Sequence, residues 1–393
     1  MTVVTGQRRT DNQASTQRFD ELDAMIRRLE PEATPLVNFM GRIAERGGKK
    51  LTGDPKYKWE ESEREARYDA INKSGGYEAG DTELVVDTEE VFFAGQLIKI
   101  PRTGEILRVK ALKGSSKIEV SRGYSGSSAA AIVNDDPILL LGFRAEEGSR
   151  SPEARTKNPE EIYNFTEIFK DTVEISGTAH SSRNRTSPHD WVYQQHQEKM
   201  REHLINIELA ALFGGRGENA GTEGKIRTSG GCLQFCTQNN QDAGGTLTES
   251  ELSSWLRAVT RFGNRKTVFG SRLFMEVVNN FAVGRVQVIQ ADDDRALGVQ
   301  IMQYRTNLGE FNLVVHNLLE GATYGGMAIA IDFDLDPPKL RPLGGGEGPS
   351  RDTHVRKNAQ EPDRDGVRDV IETELGFEWP LVKRHGVLTG VTG

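Results

Sequence analysis

HDWVYQQHQEKMREHLINIELAALFGG, residues 189–215, carries three of the chain's seven histidines. His189, His196 and His203 stand seven residues apart, with Glu198 and Glu202 between them. On a helix of 3.6 residues per turn a step of seven returns to nearly the same face, so the three histidines share one stripe. The same step advances about 10 Å along the axis. Zinc holds its nitrogen ligands at about 2 Å, so neighbouring histidines of this helix cannot share an ion. A metal helix of the H-E-x-x-H type needs Glu at 197 and His at 200, where Gln197 and Met200 stand. The stretch therefore reads as a structural rod, its histidines edging an apolar stripe of Val192, Met200, Leu204, Ile207 and Ala211. Pro188 suits the first turn, Ser187 or Thr186 can cap it, and Gly214 and Gly215 can stop it. A helix over 188–214, about 25 residues, is about 37 Å long.

The rest of the chain must say what the rod supports. The 393 residues suffice for two or three domains, with 36% hydrophobic residues and 42 glycines. A core is feasible, but much of the chain must be extended or exposed. The net charge of -8, from 58 acidic and 50 basic residues, argues against a dedicated nucleic-acid binder, though not against a protein that encloses nucleic acid. Two cysteines, Cys232 and Cys236, exclude a disulfide framework and point to a reducing compartment. Their C-x-x-x-C spacing lacks the further ligands a zinc site needs. No apolar run reaches membrane-spanning length, and MTVVTGQRRTDNQAS has no signal core, so neither secretion nor a membrane is expected.

Along the chain, Phe19, Leu22, Ile26 and Leu29 repeat at helical spacing, and LEPEATPLVNFMGRI adds a Pro-punctuated piece. This arm has too few apolar residues to fold alone. After a charged stretch, LVV (84–86), QLIKI (96–100), EILRVKAL (105–112), SKIEVS (116–121) and PILLLG (137–142) are short strands divided by turn signals such as Thr103-Gly104 and Lys113-Gly114. They predict a small β module, sandwich or barrel, inserted into a long two-stranded excursion. YNFTEIFKDTVEISGTA (163–179) is strand-like, and the glycine-rich 214–231 reads as a loop. Thr248 and Glu251 fit a capping box ahead of a helix with Leu252, Trp255, Leu256 and Val259 on one face. KTVFG reads as a strand, SRLFMEVVNNFA as a helix, VQIMQYRTNLGEFNLVVHN as a hairpin turning at Asn307–Gly309, and AIAIDFD as a last strand of that segment. PPKLRPLGGGEGPSRDTH has loop composition, and one or two strands follow it.

No motif gathers chemistry. Gly215, Gly217 and Ala220 match G-x-G-x-x-A, but after a helix rather than a strand. Gly224-Lys225 lacks the Ser/Thr of a phosphate loop, with Ile226 in its place. Asp332, Asp334 and Asp336 lack the glycine and glutamate of a calcium loop and read as a solvated strand edge. The acids of ADDDR (291–295) read as a surface loop. No residue is assigned a catalytic, cofactor-binding or metal-ligating role, and no cofactor is expected.

The order of these segments resembles the major capsid proteins of tailed bacteriophages with the Hong Kong 97-type fold, closest to a subgroup with a β insertion in the extended loop. LEPEATPLVNFMGRI resembles the arm, KYKWEES and NPEEIYNFTEIFKDTVEISGTA the outgoing and returning strands of that loop, and the helix ending in ELAALFGG the spine helix. YRTNLGEFNLVVHNL resembles the axial hairpin and KRHGVLTGVTG the C-terminal strand. The resemblance implies an α+β fold with an N-terminal arm at 1–50 and an extended loop at 51–160, its inserted module at about 80–145. It implies a peripheral domain from 161–245 and 337–393, with the spine helix at about 188–214, and an axial domain at 246–336. It implies a structural protein, not an enzyme, assembled in the host cytoplasm into the icosahedral shell of a virion. Pentamers and hexamers of one chain, with portal, scaffolding and decoration proteins, would enclose double-stranded DNA without reading its sequence and without a membrane. A contact of about 1,600 Å² supplies tens of kcal/mol gross, so an arm and loop laid across neighbours can find there the burial one chain lacks. Arg8, Arg9, Arg27 and Arg28 could face DNA or a neighbour's acids. The covalent crosslinking of some such shells is not carried over, because its lysine, asparagine and glutamate have no aligned positions here. A separate scaffolding protein is expected. A nanocompartment shell of the same fold is the alternative; a zinc enzyme and a tail or decoration protein are the more distant ones.

Overall fold

The computed structural model describes residues 34–43, 49–145, 147–148, 154–182, 191–281, 286–287, 301–345 and 349–393. The helical pattern at 19–29, the four arginines before residue 30, the proposed cap at 186–188, His189 and the ADDDR run lie outside the described residues. The chain forms two compact units, one of residues 60–160 and one of the sequence on either side of it.

The first described elements of the larger unit are α1 (Pro35–Ile43) and β1 (Lys56–Glu61). In β1 the side chains alternate, Tyr57 and Trp59 inward and Lys56, Lys58 and Glu60 outward, as the sequence KYKWEE requires of a half-buried strand.

The second unit holds β2 (Tyr68–Ala70), β3 (Glu83–Val85), β4 (Gln96–Lys99), β5 (Ile106–Gly114), β6 (Lys117–Ser121) and β7 (Pro137–Phe143), hydrogen-bonded in the order β2-β7-β4-β5-β6-β3. The two end strands meet: Asn72 N–H donates to Val85 C=O at 3.0 Å and Asp87 N–H to Ala70 C=O at 3.1 Å, with Ile71 opposite Val86. The predicted module is thus a barrel, which removes both free edges. Alternate residues Leu107 and Val109, Ile118 and Val120, and Ile138 and Leu140 fill its interior with Ile98, Phe92 and Leu84, so the unit has its own core. Gly104, at φ +75°, supplies the left-handed backbone for the β4–β5 turn.

Beyond it β8 (Glu160–Phe165) pairs with β1, and β9 (Glu167–Ile175) leads to the short α2 (Gly177–Ser181) and the long α3 (Trp191–Phe213). The expected loop at 214–231 instead contains a hairpin, β10 (Gly217–Ala220) and β11 (Lys225–Thr228). Across its strands the Glu218 carboxylate takes Lys225 Nζ at 2.5 Å and Arg227 Nε at 2.9 Å, and the glycines around it mask the hairpin in the sequence.

After α4 (Cys232–Phe235) come β12 (Asn240–Gly245), α5 (Glu249–Val259), β13 (Arg265–Gly270), α6 (Arg272–Phe281), β14 (Val286–Gln287), β15 (Ile301–Thr306), β16 (Gly309–Val315), α7 (Gly321–Tyr324) and β17 (Ala328–Ile331). Thr248 and Glu251 form both bonds of the expected capping box on α5. Next are β18 (Lys339–Pro342), β19 (His354–Arg356), β20 (Val367–Glu378) and β21 (Gly386–Val391). Two stretches of loop-like composition are thus strands, β18 being held by Arg341 against Glu378 of β20.

A seven-stranded sheet, β12-β21-β17-β13-β16-β15-β14, organises the larger unit. The period-two alternation divides its side chains between two cores. Phe269, Val314, Ile329, Ile331 and Val387 join α1 and the C-terminal half of α3. Val268, Leu313, Ala328, Ala330 and Leu388 join α5 and α6. Every residue of AIAI (328–331) is buried, because β17 lies inside the sheet with both faces covered. A second sheet pairs β20 with β9 along residues 367–375, and with β18 and β19 on its other flank.

Candidate functional site

Polar residues buried in the larger unit converge where separate elements meet. The first site seats α1. Glu208 lies on the buried face of α3, between Leu204 and Leu212, and is 0% exposed. Its Oε1 accepts from Leu36 N–H and its Oε2 from Val37 N–H, both at 2.7 Å. These are amides of the first turn of α1, which have no carbonyl of their own helix to bond. A carboxylate there also faces the positive end of the helix dipole. His316, after β16 and equally buried, donates from Nε2 to Glu208 Oε1 at 2.8 Å and accepts Leu318 N–H on Nδ1 at 3.3 Å, which fixes its tautomer. Leu36 and Met40 then enter the core beside Ile207 and Ala211. Glu208→Ala is expected to cost about 3 kcal/mol, since two amides and an imidazole N–H lose their acceptor in a dry site. Urea unfolding measures the loss, and limited proteolysis should show earlier cleavage on the α1 side of the chain.

The second site joins three strand ends. Asp332 follows β17, Lys266 begins β13, and Arg384 and His385 precede β21. Lys266 Nζ donates to Asp332 Oδ2 at 2.6 Å, and Arg384 Nη2 is 2.7 Å from the same oxygen but off the line of a hydrogen bond. Asp332 N–H donates to His385 Nδ1 at 3.1 Å, and His385 Nε2 donates to the Pro380 carbonyl at 3.2 Å. Arg384 Nε donates to the Phe262 carbonyl at 2.7 Å. Gly263 (φ +136°) permits this approach, as a Cβ there would stand 2.9 Å from Asp332 Oδ2. Asp332 is 1% exposed. The solvated edge expected for the three aspartates is therefore corrected for Asp332: its strand is interior, and its charge is matched by two buried cations. Asp336 does pair near the surface, with Lys339 at 2.6 Å.

Burial pulls the Lys266 ammonium below its ordinary value against the attraction of Asp332. Burial, with Lys266 and Arg384 near by, lowers the His385 pKa from 6.5 to about 4, although the Pro380 carbonyl and Asp332 oppose the shift. Between those two values the unfolded chain binds more protons at this group than the folded one. Stability should therefore fall as pH drops from about 6.5 to about 4, by up to about 3 kcal/mol from this residue. Urea midpoints across that range check it, and His385→Asn, which keeps an acceptor for Asp332 N–H, should flatten the dependence.

The histidines of the long helix are tied to the second sheet. His203, 0% exposed, holds Asp171 Oδ2 on Nδ1 and Thr373 Oγ1 on Nε2, both at 2.7 Å. His196 Nε2 lies 3.0 Å from Asp369 Oδ2. The spacing of seven does place both on one face, at the edge of the apolar stripe, and His203 is fully buried there because Asp171 and Thr373 satisfy it. Asn164 makes a further junction, donating to Phe377 C=O at 2.7 Å and Gly230 C=O at 3.1 Å and accepting Gly230 N–H at 2.8 Å. Tyr57 Oη donates to the same Phe377 carbonyl at 2.7 Å, and its burial pushes its pKa far up.

Sequence reasoning missed these sites. Glu208 alone carries a readable signal, a charge on the apolar face of ELAALF. Lys266, Asp332 and Arg384 are too distant in sequence for any spacing to connect them. Among the described residues no cluster of His, Cys, Asp or Glu forms a metal cage, and no helix is long and apolar enough to cross a membrane.

What these groups do is hold elements together, and the class they define is that of a structural protein. A model of the SU10 major capsid protein family matches residues 4–392, and the chain belongs to that family. A curated relative, the major capsid protein of Pseudomonas phage PaMx41, is 29% identical over 136 residues, 35% of this chain. The chain spans 32% of the length of that relative. Among solved structures, one of Microbacterium phage Oxtober96 aligns with 95% of this chain and 96% of its own at 10% identity and a TM-score of 0.43. One of Mycobacterium phage Adephagia aligns with 95% and 92% at 9% identity and a TM-score of 0.42. A holo-SrpI encapsulin complex from Synechococcus elongatus aligns with 60% and 77% at 12% identity and a TM-score of 0.42.

Proposed function

We propose that copies of this chain assemble, in the host cytoplasm, into the icosahedral head shell that encloses the double-stranded DNA of a tailed phage. The observation that carries this is the family match across residues 4–392. In this reading the chain has the Hong Kong 97-type subunit plan. Residues 1–50 are the arm, 51–160 the extended loop with the barrel as its inserted module, 161–245 and 337–393 the peripheral domain with α3 as its spine, and 246–336 the axial domain. The Glu208 seat supports the arm assignment, since it fixes the end of that segment to the spine helix. Pentamers and hexamers would form the shell, with portal, scaffolding and decoration proteins as partners. The acidic balance, net charge -8, suits a lining that confines DNA without adhering to it. No catalytic role is proposed for any residue. Negative-stain microscopy of the purified protein, alone and with its scaffolding partner, is the test. Closed shells, capsomers or sheets are expected; a solitary monomer under all assembly conditions would overturn the proposal, and particles filled with protein cargo in place of DNA would favour a nanocompartment.

A further inference from the structure

The C-x-x-x-C pair takes no part in the seats described above, yet the fold brings its two sulfurs together. Cys232 opens α4 and Cys236 caps its C-terminal end, Cys236 N–H donating to Cys232 C=O at 2.8 Å. Their Sγ atoms are 3.3 Å apart, and both residues are 0% exposed. The turn is clamped to the end of α3: Gly231 N–H donates to Gly214 C=O at 2.8 Å, and a Cβ on Gly231 would stand 2.6 Å from the Ala210 carbonyl. Leu36 and Met40 of α1 belong to the same core.

We infer that Cys232 and Cys236 are an oxidation site, a dithiol that closes into a disulfide within one chain when a peroxide reaches it. Residues four apart on a helical turn fall within the Cα separation a disulfide spans. Peroxide transfers one oxygen to the first sulfur, giving a sulfenic acid and one water. The second thiol then attacks that sulfur: its S–H bond breaks, the S–S bond forms, and the sulfenic oxygen leaves as a second water. The resolving sulfur is already in contact, so further oxidation to sulfinic acid is outrun. Burial shuts out bulky partners, so mixed disulfides and links between chains do not compete. The hydrogen bond that the Cys232 thiol makes to Cys236, with burial, keeps it above its ordinary pKa, so reaction waits on brief opening of the turn. The dithiol is then the state of a reducing cytosol, and the disulfide that of a protein exposed to oxidants.

The test treats the folded protein with hydrogen peroxide, removes the peroxide, denatures, alkylates and measures intact mass. The expected product is a monomer lighter by two hydrogens, unalkylated, and restored by dithiothreitol. Two alkylated thiols, a persistent sulfinic or sulfonic acid, or disulfide-linked dimers would each overturn the inference. Cys236→Ser should abolish the hydrogen loss and leave a sulfenic acid on Cys232 that dimedone traps when it is present during denaturation. Should that variant not fold, the tryptic peptide of the wild type that contains both cysteines decides: an internal bond supports the inference, and free or over-oxidised sulfurs refute it.

Discussion

Asp332→Ala is expected to remove about 3–5 kcal/mol of folding stability. The substitution deletes the carboxylate that Lys266 Nζ and Arg384 Nη2 share, and both side chains are nearly sealed from water. Two cations then remain in a site that cannot hydrate them, and it is this stranded charge, more than the lost attraction, that sets the size of the effect. Whole domains are stable by about 5–15 kcal/mol, so the variant should be near its unfolding threshold at moderate temperature. Lys266→Met should cost less, because Asp332 keeps Arg384 and the Asp334 amide, the latter at 2.9 Å. Denaturant unfolding of the two variants gives the ordering. A loss below about 1 kcal/mol for Asp332→Ala, or the reverse order, would show that the carboxylate is not the hub.

Arg122→Leu should have a comparable effect confined to the barrel. The guanidinium forks onto Glu105, Nε to Oε1 and Nη2 to Oε2, both at 2.8 Å, and Glu105 is 0% exposed. Nη1 donates to the Glu78 and Asp81 carbonyls, so a single side chain ties three loops at one end of the barrel. Burial acts to raise the Glu105 pKa, but Arg122 with the Gly123 and Ala130 amides outweighs it, and the net shift is downward. A depressed carboxylate contributes stability that is present above its unfolded pKa and lost as pH falls through the folded one. With Arg122 gone the charge is stranded, at about 3–5 kcal/mol. By contrast Glu119→Gln, which breaks the more exposed pair with Lys113, should leave stability almost unchanged. Hydrogen exchange at the Gly123 and Ala130 amides distinguishes them: it should accelerate strongly in Arg122→Leu and hardly at all in Glu119→Gln.

The sequence was legible where periodicity and turn chemistry act locally. The strands of the barrel, the long helix, the capping box at Thr248 and the hairpin through Asn307–Gly309 all follow from residues within a few positions of one another. Legibility ended where an element is made by pairing at a distance. KLRP is a strand through its pairing with β20, where Glu378 receives Arg341, and in 214–231 the glycines mask two short strands. Among the buried carboxylates, Asp332 reads from charge alone as solvated. Asp332 has the same letters as a surface acid, and its neutralising partners arrive from residues 266 and 384. His203 shows the same limit: its face could be read, but Asp171 and Thr373, which make it a buried junction, could not.

Finally, the central sheet has a consequence for synthesis. Among the described residues β21 lies between β12 and β17 and is the one strand with which β12 pairs, yet it is translated after every other strand of that sheet. While residues 386–391 are still unmade, β12 has no neighbour and β17 has an open side. A nascent chain on the ribosome therefore cannot complete its core, and each copy reaches its mature shape after translation has passed this strand. Such an order of events would keep half-made chains on one messenger from locking onto one another before they are released.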